Sequence, residues 1–298
     1  MNIVLASDNN FVQHCCVTMT SILRHNKDVV FYLFTEGLSE ENVNLLTQQV
    51  ECLSGVLNIC IIDSSIVSRF PMPKTQSSHI SVATYYRLFA EFVLPQSVDR
   101  LIYLDCDIVV RGDLTELYNT NLDGYAIAAV FQHNEWGVAN KTFERMEIPV
   151  EYGYFNAGVL LINLCYWRNH DVSNRLLNYI RDNYSKIRAH DQDTLNAILY
   201  KEVKPLDYIW NYLPIFLDTS YVTFPLKVDY SEKKEPVVIH YVNRPKPWEY
   251  YSDHPYTSEY YYYLDFTPFK GWRPKWNWAS FKKYRIKPFV RKIKNKFF

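Results

Sequence analysis

The sequence predicts an α/β sandwich around a mainly parallel sheet, and two observations carry that expectation. Through the first hundred residues, apolar runs of strand length alternate with amphipathic runs of helix length. That order suits a parallel sheet, whose neighbouring strands need a crossover, usually a helix. Polar clusters also fall where apolar runs end: Ser7-Asp8-Asn9-Asn10, Asp105-Cys106-Asp107, and His240 after Val237-Val238-Ile239. Sites in such sheets lie at the carboxyl ends of the strands.

In chain order, strands are expected at 2–7, 31–35, 57–63 and 101–104. Helices are expected between them at 11–24, at 40–53 behind Ser39 as N-cap, and at 83–94. The second half is more mixed. Residues 154–164 read as a buried strand interrupted by Asn156, and 171–184 and 192–200 read as helices. Only 8 glycines occur, with no G-x-G-x-x-G and no P-loop, which removes the dinucleotide and P-loop NTPase readings.

The chain has 298 residues, 48% hydrophobic and 21% charged, enough for one large domain with its own core. The six cysteines (Cys15, Cys16, Cys52, Cys60, Cys106, Cys165) form no C-x-x-C pair, which excludes a zinc ribbon and suits a reducing cytosol. No basic-then-apolar leader opens the chain, and no run reaches the roughly 18 apolar residues of a membrane span. The expected location is therefore cytoplasmic. The formal charge of zero hides a division. From Lys270 onward there are 11 Lys and Arg and no acid, which leaves 21 basic against 32 acidic residues before it.

Two segments carry chemistry. In Leu101-Ile102-Tyr103-Leu104-Asp105-Cys106-Asp107, a hydrophobic strand delivers carboxylates at i and i+2. In an extended chain these share one face, with Cys106 pointing away. Paired carboxylates suit Mn²⁺ or Mg²⁺ gripping a diphosphate; a solvated pair at a strand end is the plain alternative. The run also fits a haloacid-dehalogenase-type phosphatase with Asp105 as nucleophile, although about a hundred residues of α/β pattern precede it. In His240-Tyr241-Val242-Asn243-Arg244-Pro245-Lys246-Pro247-Trp248, the histidine is a metal-ligand candidate through neutral imidazole, and Lys246 could neutralise phosphate charge. A satisfied structural histidine is the alternative.

These segments join others in an ordered set: Ala6 through Asn10, His79 through Leu88, Tyr103 through Asp107, Tyr154 through Val159, Asp191-Gln192-Asp193, and His240 through Trp248. The set resembles family 8 of the glycosyltransferases, over residues 2 to about 248. The resemblance implies a GT-A-type fold as residues 1–265, a catalytic domain, with a basic aromatic tail at 266–298. It implies retaining transfer of galactose or glucose from a UDP-sugar to a lipopolysaccharide or other cell-surface glycan, oligosaccharide or lipid-linked.

The resemblance also implies the roles of single residues. Ala6, Asp8 and Asn10 would line the uracil and ribose site, with Phe11 stacking on the base. Asp105, Asp107 and His240 would hold Mn²⁺, with Mg²⁺ as the substitute, and Cys106 would join the donor-binding set between the two acids. Lys246 would hold the phosphates from the opposite side, and His79 and Arg87 would lie near the donor sugar and diphosphate. Asn156, Asp191 and Gln192 would contact the transferred sugar, with Gln192, Asp191 and Asp107 as the catalytic set. Gln192 is a poor nucleophile, so same-face attack is the implied route, with the departing phosphate taking the acceptor proton. Asp8-Asn9-Asn10 as a turn and Asp191 as a helix cap are the plain alternatives. Asn243 departs from the family, standing where H-x-x-G-x-x-K has glycine. Asparagine is the next residue to accept left-handed backbone. A non-catalytic UDP-sugar-binding protein is a third reading.

The tail mixes its cations with Trp272, Trp276, Trp278, Phe281, Tyr284, Phe289, Phe297 and Phe298. Cations with rings suit the inner face of a cytoplasmic membrane. No nucleic acid is expected, because the acidic body repels phosphate.

Overall fold

The computed structural model describes residues 1–63, 82–132, 140–214, 234–242 and 245–287. Of the predicted site residues, His79 and Asn243 lie outside these, as do Phe289, Phe297 and Phe298 of the tail.

The first half alternates as expected. Strand β1 (Asn2–Ala6) leads to α1 (Val12–Leu23), β2 (Val30–Thr35), α2 (Glu40–Cys52) and β3 (Val56–Ile61). Ser39 caps α2 by accepting from the Asn42 amide at 3.3 Å. Then follow β4 (Arg100–Leu104), β5 (Ile108–Val110), β6 (Ile127–Phe131), β7 (Phe155–Asn163), α3 (Val172–Asn183), α4 (His190–Leu199), β8 (Val203–Pro205), β9 (Val238–His240) and α5 (Thr257–Leu264). Among the described residues, seven strands form one sheet in the order β3-β2-β1-β4-β7-β6-β8. The four from β3 to β4 run parallel, β7 is antiparallel to both neighbours, and β8 is parallel to β6.

Alternation along the strands builds a core on each face. Ile3, Leu5, Ile102 and Leu104 pack with α1 and α2 on one side. Val4, Leu101, Tyr103, Leu160 and Ile162 pack with α3 and α4 on the other. The same parity continues past the end of β4. Cys106 joins the α1 side, while Asp105 turns toward Arg87 on the α4 side.

One expected helix is different. Residues Val82–Phe89 wind as a 3-10 helix, followed by a single α turn at Ala90–Val93. Three residues per turn set Arg87 directly over Thr84, whose carbonyl accepts Arg87 Nε at 3.1 Å. An α winding would rotate Arg87 away by about 60°. The expected extended D-x-D is also different: β4 ends at Leu104, and residues 105–107 turn into β5.

A second, two-stranded ribbon sits at the carboxyl end of β4. Strand β5 pairs antiparallel with β9, with Ile108 opposite His240 and Val110 opposite Val238. Helix α5 closes over this ribbon, burying Tyr260, Tyr263 and Leu264 against Val109, Ile239 and Tyr241.

Candidate active site

A cavity of about 550 Å³ opens at the carboxyl ends of β1 and β4. Among the described residues it is lined by Ala6, Asp8, Asn10, Phe11, Arg87, Asp105, Cys106, Asp107, Asn156, Asp191, Gln192, His240 and Lys246. Every predicted site residue that the structure describes therefore meets in one space.

The ribbon explains how His240 reaches acids more than a hundred residues earlier. Pairing of Ile108 with His240, and a Tyr241 amide bond to the Asp107 carbonyl at 2.9 Å, place the imidazole beside the turn. His240 Nε2 lies 3.2 Å from Asp107 Oδ1 and 3.8 Å from Asp105 Oδ2. The ligand atoms of the three residues all fall within 4.8 Å of one another. Donors about 2.1 Å from a small divalent cation stand about 3 Å apart. Two carboxylate oxygens with one imidazole nitrogen suit Mn²⁺ or Mg²⁺. The donor set thus fits such an ion after small side-chain rotations.

Lys246 Nζ lies 2.5 Å from Asp107 Oδ2 and also meets the Tyr241 carbonyl. Burial works against the charge of Asp107, but Lys246 and His240 outweigh it and hold its carboxyl well below the usual range.

Arg87 is the hub of the opposite wall. Only 4% of its side chain is exposed, and the guanidinium pairs with Asp105 at 2.7 Å and Asp191 at 2.9 Å. It also donates to the Ala157 carbonyl and lies 3.9 Å over the Tyr103 ring. The Tyr103 hydroxyl donates to Asp105 Oδ1 at 3.1 Å. One cation thus serves two acids. Burial dominates at Asp191 and pushes it up to about 7, against the pull of Arg87. Among the described residues Asp191 Oδ2 is buried with no hydrogen-bond partner, and Arg87 lies 2.9 Å from it as counter-charge. Asp191 lies inside α4 and is not its cap. Asp193 instead holds the turn entering the helix, accepting from the amides of Arg188 and Ala189 at 2.7 and 2.9 Å.

Asn156 and Gln192 form the floor. Gln192 Oε1 accepts from the Ala157 amide at 3.1 Å and Asn156 Nδ2 at 3.0 Å. Asn156 Oδ1 accepts from the Gly158 amide at 2.9 Å. At the far end, Asp8 Oδ1 accepts from the amides of Asn10 and Phe11, so the turn reading of this segment holds in the same residues that line the cavity. Phe11 is partly exposed and packs edge-on against Trp248, 5.9 Å between centroids. Cys106 borders the cavity, but its Sγ turns to the Ala6 carbonyl at 3.2 Å.

Four residues that matter here had no role in the sequence reading, although Tyr103, Gly158 and Trp248 fall inside its ordered set of segments. Tyr103 lies under Arg87, and its place two residues before Asp105 was a readable signal. Gly158 sits mid-strand, where glycine often marks a close approach: a Cβ there would meet His240 Cε1 at 2.1 Å. Trp248 stacks on His14 at 3.7 Å, behind Phe11. Asn211, which accepts from His240 Nδ1 at 2.9 Å, carries no sequence signal at all.

The sequence pattern of glycosyl transferase family 8 matches residues 2–252. General stress protein A of Bacillus subtilis (strain 168) is 28% identical over 287 residues, covering 93% of this chain and 95% of the relative. Lipopolysaccharide 1,3-galactosyltransferase of Salmonella typhimurium (strain LT2) is 28% identical over 272 residues, covering 87% of this chain and 76% of the relative. The chain spans 58%, 34% and 61% of the length of three Streptococcus pneumoniae glycosyltransferases to which it is 30% identical. The crystal structure of galactosyltransferase LgtC in complex with donor and acceptor sugar analogs has a TM-score of 0.79 and 25% identity, covering 90% of this chain and 96% of that one.

Proposed function

This chain belongs to glycosyl transferase family 8, and from that premise we propose that it moves galactose or glucose from a UDP-sugar to a lipopolysaccharide or related cell-surface glycan, with retention and with Mn²⁺. The observation that carries this reading is the meeting of Asp105, Asp107, His240 and Lys246 in the cavity that also holds Arg87, Asp191 and Gln192. Support for the glycan class is the similarity to the Salmonella galactosyltransferase and to LgtC. Family membership leaves the phosphatase reading without support, and Asp105 Oδ1 is already engaged by Arg87 and Tyr103.

When bound at Asp105, Asp107 and His240, a divalent cation supplies Lewis-acid stabilisation of the departing diphosphate. Lys246 adds a mobile positive charge beside it, released from Asp107 when phosphate oxygens compete. Phe11 and Trp248 offer an apolar wall for the base, and Ala6, Asp8 and Asn10 line the ribose end. Asp191, with an oxygen that accepts no hydrogen bond, takes a hydroxyl of the transferred sugar. Gln192 has its carbonyl oxygen committed to two donors, so its NH₂ group faces the donor and the oxygen is withheld from nucleophilic attack. That favours same-face attack, the acceptor proton leaving with the phosphate. The exposed Trp276 and Trp278 with the tail cations would seat the enzyme on an anionic membrane.

The test is UDP release from UDP-galactose and from UDP-glucose, each with Mn²⁺ or EDTA. Mn²⁺-dependent release with one sugar supports the reading and names the donor. Absence of release, together with absence of Mn²⁺-dependent UDP binding by calorimetry, overturns it.

A further inference from the structure

Along the cavity wall a chain of three hydrogen bonds, the first two of them buried, joins His240 to Gln192. His240 Nδ1 meets Asn211 Oδ1 at 2.9 Å, Asn211 Nδ2 meets Asn156 Oδ1 at 2.8 Å, and Asn156 Nδ2 meets Gln192 Oε1 at 3.0 Å. Asn211 is fully buried and borders no part of the cavity. The direction of every bond follows from two backbone amides, which can only donate. The Gly158 amide fixes Oδ1 of Asn156 as an acceptor. The atom of Asn211 facing it must then be its NH₂, which leaves the Asn211 oxygen for His240. An imidazole facing a carbonyl-type oxygen through Nδ1 carries its proton there. From the other end, the Ala157 amide fixes Oε1 of Gln192, in agreement with an Asn156 NH₂ on that side.

The backbone holds Asn211 in register. Residues 209–212 run beside β9, with the Val237 amide on the Ile209 carbonyl at 3.0 Å, the Tyr212 amide on the Val238 carbonyl at 2.8 Å and the His240 amide on the Tyr212 carbonyl at 3.1 Å.

We propose that Asn211 is a positioning residue that commits His240 to its Nδ1–H form, aiming the Nε2 lone pair at Asp105 and Asp107, and that it locks Asn156 against Gln192 with its other end. An Nε2 lone pair turned to the two carboxylates would complete a set of three donors for a divalent cation, with Arg87 and Lys246 balancing part of the acids' charge. The inference rests on the cation-dependent transfer reading for its purpose, and its test separates the two.

The measurement is Mn²⁺ affinity in the presence of UDP, by electron paramagnetic resonance of free Mn²⁺, on the full chain. Asn211→Ala removes both ends and weakens Mn²⁺ binding about 10- to 100-fold. Asn211→Asp keeps an oxygen for His240 and stays within about threefold of wild type, but cannot donate to Asn156, so its UDP release falls about tenfold or more. A purely structural role predicts no such split. The proposal is overturned if folded Asn211→Ala binds Mn²⁺ like wild type, or if Asn211→Asp loses as much affinity as Asn211→Ala or keeps full turnover. Should Asn211→Ala not fold, the near-isosteric Asn211→Asp decides alone. Wild type that neither binds Mn²⁺ nor releases UDP overturns the transfer reading and the relay with it.

Discussion

A methyl group on Gly158 would lie 2.1 Å from His240 Cε1, 2.7 Å from Nδ1 and 2.8 Å from Asp105 Oδ2. The ring cannot retreat, because Asn211 holds its far side and the ribbon holds its backbone. Gly158→Ala should therefore fold yet lose about 100-fold or more in UDP release, the cost of a misplacement near 1 Å. Circular dichroism and Mn²⁺ titration separate this from unfolding; wild-type Mn²⁺ affinity in the variant would refute it. Arg87 makes the complementary case. Arg87→Met leaves Asp105 and the buried Asp191 without their shared cation, and removing one partner of a buried pair costs about 3–5 kcal/mol. Urea denaturation at pH 7 should show that loss, and an unchanged midpoint would sink the account.

At the scale of elements, helix α1 carries a pH-sensitive joint. Burial lowers the His14 pKa to about 3, while Trp248 stacks on its ring and the Tyr260 hydroxyl lies 2.7 Å from Nδ1. In the fold His14 stays neutral; in the unfolded chain it takes a proton near pH 6.5. The unfolded state thus binds more protons between those values, and stability falls as pH drops from 6.5 toward 3. The full loss is about 4–5 kcal/mol. Denaturation midpoints of wild type and His14→Gln across that range should converge toward acid; parallel curves would exclude His14 as the cause. The raised Asp191 tilts both proteins alike and cancels in the difference. The same scale shows what was legible in the sequence. Regular alternation placed β1 to β4 to within two residues, because Ile3, Leu5 and Val4 record both faces of the sheet directly, whereas β5 and β6 were not expected. The 3-10 winding at Val82–Phe89 was not legible, since three and 3.6 residues per turn leave nearly the same pattern over a run this short. The D-x-D, His240 and Lys246 were readable as residue types, but Asn211 reaches His240 only through the strand-like run beside β9, a long-range pairing with no local pattern.

At the scale of the whole molecule, charge and rings are arranged at one end. The body before Lys270 holds 21 basic and 32 acidic residues, while the last 29 residues hold 11 cations and no acid. The start of this tail is tied to the body: Arg273 pairs with Asp265 at 2.7 Å and lies over the Tyr261 ring. Phe281 contacts Tyr251, at 5.2 Å between centroids, three residues past Trp248. Between these two ties Trp276 and Trp278 stand 58% and 56% exposed, side by side at 5.8 Å. Adjacent exposed indoles cost hydration in water and gain at a headgroup layer, where cations add about 1 kcal/mol each on anionic lipid. An acidic body opposes the same surface, so contact should be confined to this end and should weaken with salt. The intact protein should pellet with vesicles containing phosphatidylglycerol at low salt, and pelleting should fall steeply by about 0.5 M salt. Trp276→Ser with Trp278→Ser should cut pelleting severalfold while leaving Mn²⁺ affinity untouched, because neither ring borders the cavity. A double variant that pellets as well as the intact protein on the anionic vesicles would take the rings out of membrane contact, and an intact protein that pellets no better on anionic than on neutral vesicles would take the tail cations out as well.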